Sequence, residues 1–400
     1  MLQVLALDEA KQMLLNLAKK RDFSTERAQN DTWRGRVLAK TVTSPEDLPQ
    51  FDRSAVDGFA VVSRDTFGAS AAQPMLLCLA GEVKMGERAR FSINSGDCAL
   101  VWTGGELPQG ADAMVMLEEA QALSGGLVAI ESAASPGRHV VFRGDDVRAG
   151  DSILPAGTRL LARESGLLAA LGVTSAEVAA RPRIGILSTG DELVAPDQTP
   201  EGGQIRDANG SMLLASCAEA GADARHFGIV PDDEAKLCAA MQEASASCDL
   251  LLLSGSSSAG AKDAAARCLT ELGEVAFHGL ALKPGKPAFA GQIGGTLVVG
   301  LPGHPAAAYL VFHALVRPLI AAMLGEHFVQ HTVTATLAQA APSNHGREEL
   351  LPVQLSGGYA EPVALKSGLI SPLTRADGYI RIPRDTEGLA KGTLQEVILF

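Results

Sequence analysis

The chain has 400 residues, too many for one compact core. Apolar residues make up 46% and aromatics only 4%, so its cores must be built from Ala, Leu and Val rather than from large rings. Acidic residues outnumber basic ones by 46 to 34, a formal charge of −12; this excludes the broad basic face of a nucleic-acid binder but not a local cationic pocket for a small anion.

In chain order, Ala10, Met13, Leu14 and Leu17 recur at helical spacing behind Asp8. That pattern predicts an amphipathic helix with Asp8 as its cap, not an export signal. From 33 to 130, short apolar runs broken by Gly, Pro and Asp predict a β-rich lobe with strands at 76–80, 99–103 and 113–117. Glycines 144, 150 and 157 then mark turns, and a helix is expected over 163–171. From 181 to about 324 the pattern alternates. Apolar strands at 184–187, 250–253 and 296–299 are interleaved with helices at 211–220, 232–246, about 262–272 and beyond Pro305. Such alternation predicts a mostly parallel, three-layer α/β domain. The last part, 331–400, returns to short strands and turns and reads as a small β-barrel or sandwich. The stretch 306–324 is apolar but contains His313, Arg317 and Pro318, which suits a buried helix better than a membrane span. Six cysteines with no C-x-x-C pair and no Cys/His cluster suggest reduced, partly buried thiols of a cytoplasmic protein.

Several loops carry chemistry. Ser254-Gly255-Ser256-Ser257-Ser258-Ala259-Gly260 leaves a strand and enters a helix. Small residues there let backbone N–H groups approach a phosphate, and a helix N-terminus adds positive potential. Asp263 follows, placed to hold Mg²⁺ against that phosphate or simply to favour the helix dipole. Thr189-Gly190-Asp191-Glu192 and Gly300-Leu301-Pro302-Gly303-His304-Pro305 also follow strands, and with the lysine turn 283–287 four loops are expected on one sheet edge. Lys283-Pro284-Gly285-Lys286-Pro287 aims two ammonium groups from a stiff backbone. No Ser-His-Asp arrangement and no G-x-S-x-G elbow is visible, so carboxylates binding Mg²⁺ are favoured over a nucleophile or zinc.

Together these segments resemble the molybdopterin molybdenumtransferase (MoeA) family, which includes the gephyrin E domain. Pro49 to Gly58 is similar to P-x-F-x-x-S-A-M-D-G, and Thr103 to Asp112 to T-G-x-x-x-P-x-G-A-D. Arg143 to Val147 resembles R-G-E-D-I, Pro182 to Leu193 resembles P-R-V-x-I-x-S-T-G-D-E-L, and Gln204 to Asn209 resembles Q-I-x-D-x-N. Lys283 to Pro287 is identical to K-P-G-K-P, and Gly346-Arg347-Glu348 with Ala376-Asp377-Gly378 resembles the barrel motifs. Ser256 stands for a glycine, and His304 and Asp377 for asparagines, which places the chain on a divergent branch.

The resemblance implies a homodimer with four parts per subunit. These are a discontinuous connecting domain (1–26 and 141–180), the β-rich lobe (27–140), a molybdopterin-binding α/β domain (181–326) and a C-terminal β-barrel (327–400). It implies insertion of molybdate into adenylyl-molybdopterin with release of AMP. Asp57, Asp263, Lys283 and Lys286 are the catalytic candidates. The substrate would be held by Thr103, Asp146, Thr189, Gly190, Ser254, Gly255, Ser256, Ser258, Gly260, Pro302, Gly303, His304 and Arg347, and Mg²⁺ by Glu192, Asp249 and Asp263. Asp57, Thr103 and Asp146 would come from the second subunit. An adenylyltransferase of the same pathway and recipient molybdoenzymes are the implied partners, with no nucleic acid and no membrane. The alternatives are a non-hydrolytic cofactor hand-off protein and a Mg²⁺-dependent nucleotide phosphohydrolase.

Overall fold

The computed structural model describes residues 4–19, 24–255, 259–364 and 369–400, with the side chains of 256–263 outside that description. The chain forms two compact units: Thr41–Pro155 with Leu161–Ala176, and the remainder, which contains Glu177–Phe400.

The smaller unit is built on a six-stranded sheet. Its strands, in spatial order, are Ala113–Met116, Gly58–Val61, Asp97–Val101, Met75–Val83, Leu127–Ile130 and Ala120–Ala122. Phe59 and Val61 join one apolar cluster, and Ala60 joins the other. The alternation follows from the two-residue period of a strand.

The larger unit contains the expected three-layer domain. Four strands run parallel, in the order Asp223–Val230, Arg183–Thr189, Leu250–Gly255 and Thr296–Leu301. Phe289–Ile293 and Glu274–His278 then continue the sheet antiparallel. Leu250 and Leu252 face one core while Leu251 and Leu253 face the other. A strand covered on both faces has to be apolar at every position, which is why this run carries no alternation. Thr189 pairs with Gly255, and Ser254 with Leu301, so three of the four loops leave a common edge of the sheet, whereas the lysine turn follows Leu282–Lys283, which pairs with the barrel strand Glu348–Ser356 instead.

The helix after Pro305 runs Pro305–Val311 and Arg317–Met323, joined by a π turn over Phe312–Val316. Pro318 has no N–H for the carbonyl of Ala314 and its ring would collide with it, so the helix widens there. In all, 78% of this apolar stretch is buried inside the protein, as expected for a core helix. The barrel closes through five strands: Glu348–Ser356, Tyr359–Pro362, Thr332–Leu337, Leu394–Leu399 and Gly378–Ile382, the last pairing back onto the first.

Two local expectations are corrected. The first helix is Leu7–Ala18, and Glu9, not Asp8, accepts the Ala6 N–H at its start. Asp8 instead makes two bonds to Arg381 of the barrel, at 2.8 and 3.1 Å. Cys238 and Cys268, expected as free thiols, are joined in a disulfide. They are 30 residues apart, but the helices Glu234–Ser245 and Ala259–Leu272 pack side by side and bring their Cα atoms to 5.1 Å.

Candidate active site

Glycine is required where the strands Arg183–Thr189 and Leu250–Gly255 end. A Cβ on Gly255, whose φ is +132°, would stand 2.0 Å from the Thr189 carbonyl oxygen. Gly190, at φ +148°, would place one 2.7 Å from the Glu192 carboxylate. Ser254 and Thr189 are buried by this close approach and shape the floor of the edge.

A cleft of about 740 Å³ opens above that floor. Ser254, Gly255, Gly303, His304, Glu192 and Asn209 are among the residues that line it. Ser256 and Ser258 lie outside the described residues, as does the side chain of Asp263. The helix begins at Ala259 rather than near Lys262, so Gly260 sits in its first turn and not in the loop.

A smaller cavity of about 190 Å³ adjoins the cleft, sharing Gly303 and His304 with it. Lys283, Lys286, Arg347, Pro302 and His304 line it, and among the described residues no acidic side chain does. The lysine turn is held by the Leu280 N–H on the Lys286 carbonyl and by Lys283–Pro284 in the cis form. Three cations around a small concavity suit the charge of an oxyanion.

Asp249 does not join Glu192 in the proposed Mg²⁺ set. Asp249 precedes the strand Leu250–Gly255 and therefore lies at the opposite edge of the sheet. It accepts bonds from the backbone N–H and side chain of Arg183, and so pins the start of two strands. Among the described residues no group of three metal-ligating side chains occurs. Glu192 remains at the cleft, with Asp191 and Asp232 nearby. Burial and the charges of Asp191 and Glu192 push the Asp232 carboxyl up.

Asp207 and Asn209 stand in the Q-I-x-D-x-N-like motif but were given no role, and nothing in the sequence pointed to His226. Asp207 is 3% exposed and caps the helix Ala208–Glu219 through the Gly210 N–H. Burial alone would raise its pKa, but bonds from His226, Ser188 and Gly210 together hold it below the usual carboxylate range. The trio is no hydrolytic triad. Ser188 is fully buried, and both Ser188 and Asp207 meet the same His226 Nε2, at 3.0 and 3.3 Å. Because the folded pKa is depressed, Asp207 adds stability that is complete above the unfolded value of about 3.9 and is lost as pH falls through the folded one. Asp207→Asn should therefore lower the urea midpoint at pH 7 and flatten its fall between pH 5 and 3; an unchanged acid limb would refute this. Asn209 donates to the Gly303 carbonyl at 2.9 Å and ties the start of that helix to the loop shared by both cavities.

In the smaller unit, Asp57 Oδ1 accepts the Thr103 hydroxyl at 2.6 Å and the Thr103 N–H at 2.7 Å. The hydroxyl first and then the amide hold the exposed Asp57 carboxyl below its ordinary value. Asp146 is exposed on a turn whose N–H bonds the Leu48 carbonyl. Asp377 accepts the Leu355 N–H within the barrel.

A parallel α/β domain with a cleft at its strand ends, followed by a closed barrel, is an architecture that the comparisons with known proteins place. Residues 5–172 match the MoeA N-terminal region (domain I and II), 185–322 the probable molybdopterin binding domain, and 334–400 the MoeA C-terminal region (domain IV). The chain is 34% identical to molybdopterin molybdenumtransferase 2 of Mycobacterium tuberculosis, over 91% of this chain and 92% of that one. It is 32% identical to the Bacillus subtilis molybdopterin molybdenumtransferase, over 91% and 87%. The crystal structure of a molybdopterin biosynthesis MoeA protein from Pyrococcus horikoshii superposes with a TM-score of 0.88 at 30% identity, covering 100% of both chains. The chain belongs to the MoeA family of molybdopterin molybdenumtransferases, transferases of molybdenum cofactor biosynthesis.

Proposed function

We propose that the protein inserts molybdate into adenylyl-molybdopterin and releases AMP. The observation that carries this reading is the cation-lined cavity of about 190 Å³ that shares Gly303 and His304 with a cleft of about 740 Å³. The large cleft has room for a pterin nucleotide, and the small one for a tetrahedral oxyanion beside it.

In this reading the pyrophosphate lies over Ser254 and Gly255, at the loop that enters the helix Ala259–Leu272. Backbone N–H groups and the helix N-terminus offset its charge. Lys283, Lys286 and Arg347 hold molybdate and fix it against the dithiolene. The dithiolene sulfurs displace oxo ligands of molybdate, which leave as water with the thiol protons, and a water molecule cleaves the phosphoanhydride, giving AMP and a pterin monophosphate whose dithiolene carries molybdenum. Mg²⁺ commonly takes one or two protein carboxylates and completes its shell with substrate phosphates and water. Glu192, and Asp263 beyond the described side chains, suit that role without Asp249. When bound, the ion offsets phosphate charge. Asp57, Thr103 and Asp146 are assigned to closing the site from a second copy of the chain.

The test is AMP release from adenylyl-molybdopterin by the pure protein with Mg²⁺, with and without molybdate. Release that requires molybdate supports the reading. Tight binding of the nucleotide without release would overturn it in favour of a hand-off role.

A further inference from the structure

The strand leading into the lysine turn belongs to the barrel sheet, and this brings a carboxylate to one of the anion-binding lysines. Leu282–Lys283 runs parallel to the start of Glu348–Ser356, with Lys283 opposite Glu349. Lys283 Nζ lies 3.0 Å from Glu349 Oε2, and the same oxygen accepts the Ser343 hydroxyl at 2.6 Å. The glutamate side chain is 13% exposed and the lysine 46%. Glu349 lines a neighbouring cavity of about 430 Å³ and does not line the cation-lined one, whereas Lys283 and His304 line both. The ammonium therefore stands between a fixed carboxylate on one side and the place for an oxyanion on the other.

We propose that Glu349 is a positioning residue that sets the affinity of the oxyanion site by taking up part of the Lys283 charge. This rests on the reading of Lys283 as an oxyanion ligand. Ser343 keeps the carboxylate aimed at the lysine, because its hydroxyl donates to the oxygen that the ammonium also uses. With Glu349 in place, Lys286 and Arg347 carry most of the attraction, and Lys283 adds less than a full charge. The oxyanion is then held loosely enough to be passed on to the dithiolene.

Electrostatic energy is proportional to ligand charge, which gives the proposal a signature that a purely structural role lacks. Glu349→Gln removes a charge but keeps the shape and the hydrogen-bonding reach of the side chain. It should tighten binding of the tetrahedral monoanion perchlorate about threefold and of the dianion molybdate about tenfold, the second factor near the square of the first. The measurement is calorimetric titration of the full chain with each anion at one fixed, low ionic strength. Glu349→Asp keeps the charge and should keep molybdate within about twofold of wild type. Equal changes for the two anions, or weaker molybdate binding in Glu349→Gln, would show that the glutamate only orients the lysine, and would overturn the proposal. Lys283→Ala separates this from the underlying reading. If it leaves molybdate affinity unchanged, the lysine site itself is misassigned. If it weakens molybdate while Glu349→Gln has no effect, the site stands and only the role of Glu349 falls.

Discussion

Lys286→Ala should cut molybdate-dependent AMP release about 100-fold, with most of the loss appearing as a raised KM for molybdate. Lys286 lines the cation-lined cavity and has an exposed side chain. Lys283 is shared with Glu349, so Lys286 is the lysine expected to face the oxyanion with its full charge. Its structural contribution is a backbone one, the carbonyl that accepts the Leu280 N–H, and alanine retains that. The variant should therefore unfold at the same urea concentration as wild type. Lys286→Arg should recover part of the rate, since a guanidinium keeps the charge but not the geometry. An unchanged KM for molybdate in Lys286→Ala would remove the residue from the anion site.

Gly255→Ala should destabilise the larger unit by about 3 kcal/mol or more and abolish nucleotide binding. The added Cβ would meet the Thr189 carbonyl oxygen at 2.0 Å and the Thr189 hydroxyl at 2.7 Å. These atoms belong to a parallel ladder in which Thr189 and Gly255 are direct partners, so neither strand can move aside alone. The φ of +132° adds strain for any L side chain. Gly166→Ala is the contrast. That glycine lies within the helix Ala162–Ala170 with nothing within 4 Å of a new Cβ, and the change should stabilise by about 0.5–1 kcal/mol. Urea unfolding of the two variants decides it; equal effects would mean that close approach at the strand ends is not what demands glycine.

Much of the fold was legible because its causes are local. The all-apolar run Leu250 to Leu253 could only be a strand covered on both faces, and Gly and Pro marked where strands stop. The same logic put four loops on one edge, and the register of Thr189, Gly255 and Leu301 agrees for three of them, while the lysine turn belongs to the barrel sheet. The site was less legible. Asp249 looked like a ligand because it is an acid beside a phosphate loop in sequence. It stands at the other end of a six-residue strand, and at about 3.3 Å per residue that is roughly 20 Å away. Asp207, His226 and Ser188 come from three separate elements, so no motif could reveal that they meet.

By itself, then, the sequence determined the family, the parallel α/β domain, the strand-end loops and the two lysines of the K-P-G-K-P turn. Each follows from short-range pattern: period, glycine, proline and the order of motifs. Only the tertiary structure decided that Asp249 lies at the far end of its strand from the loops, that two cysteines 30 residues apart are bonded, and that Glu349 faces Lys283. The reason is that pairing between distant strands and helices sets those distances. The sequence names the charges, but their mutual distances, which fix their energies, are set by the fold.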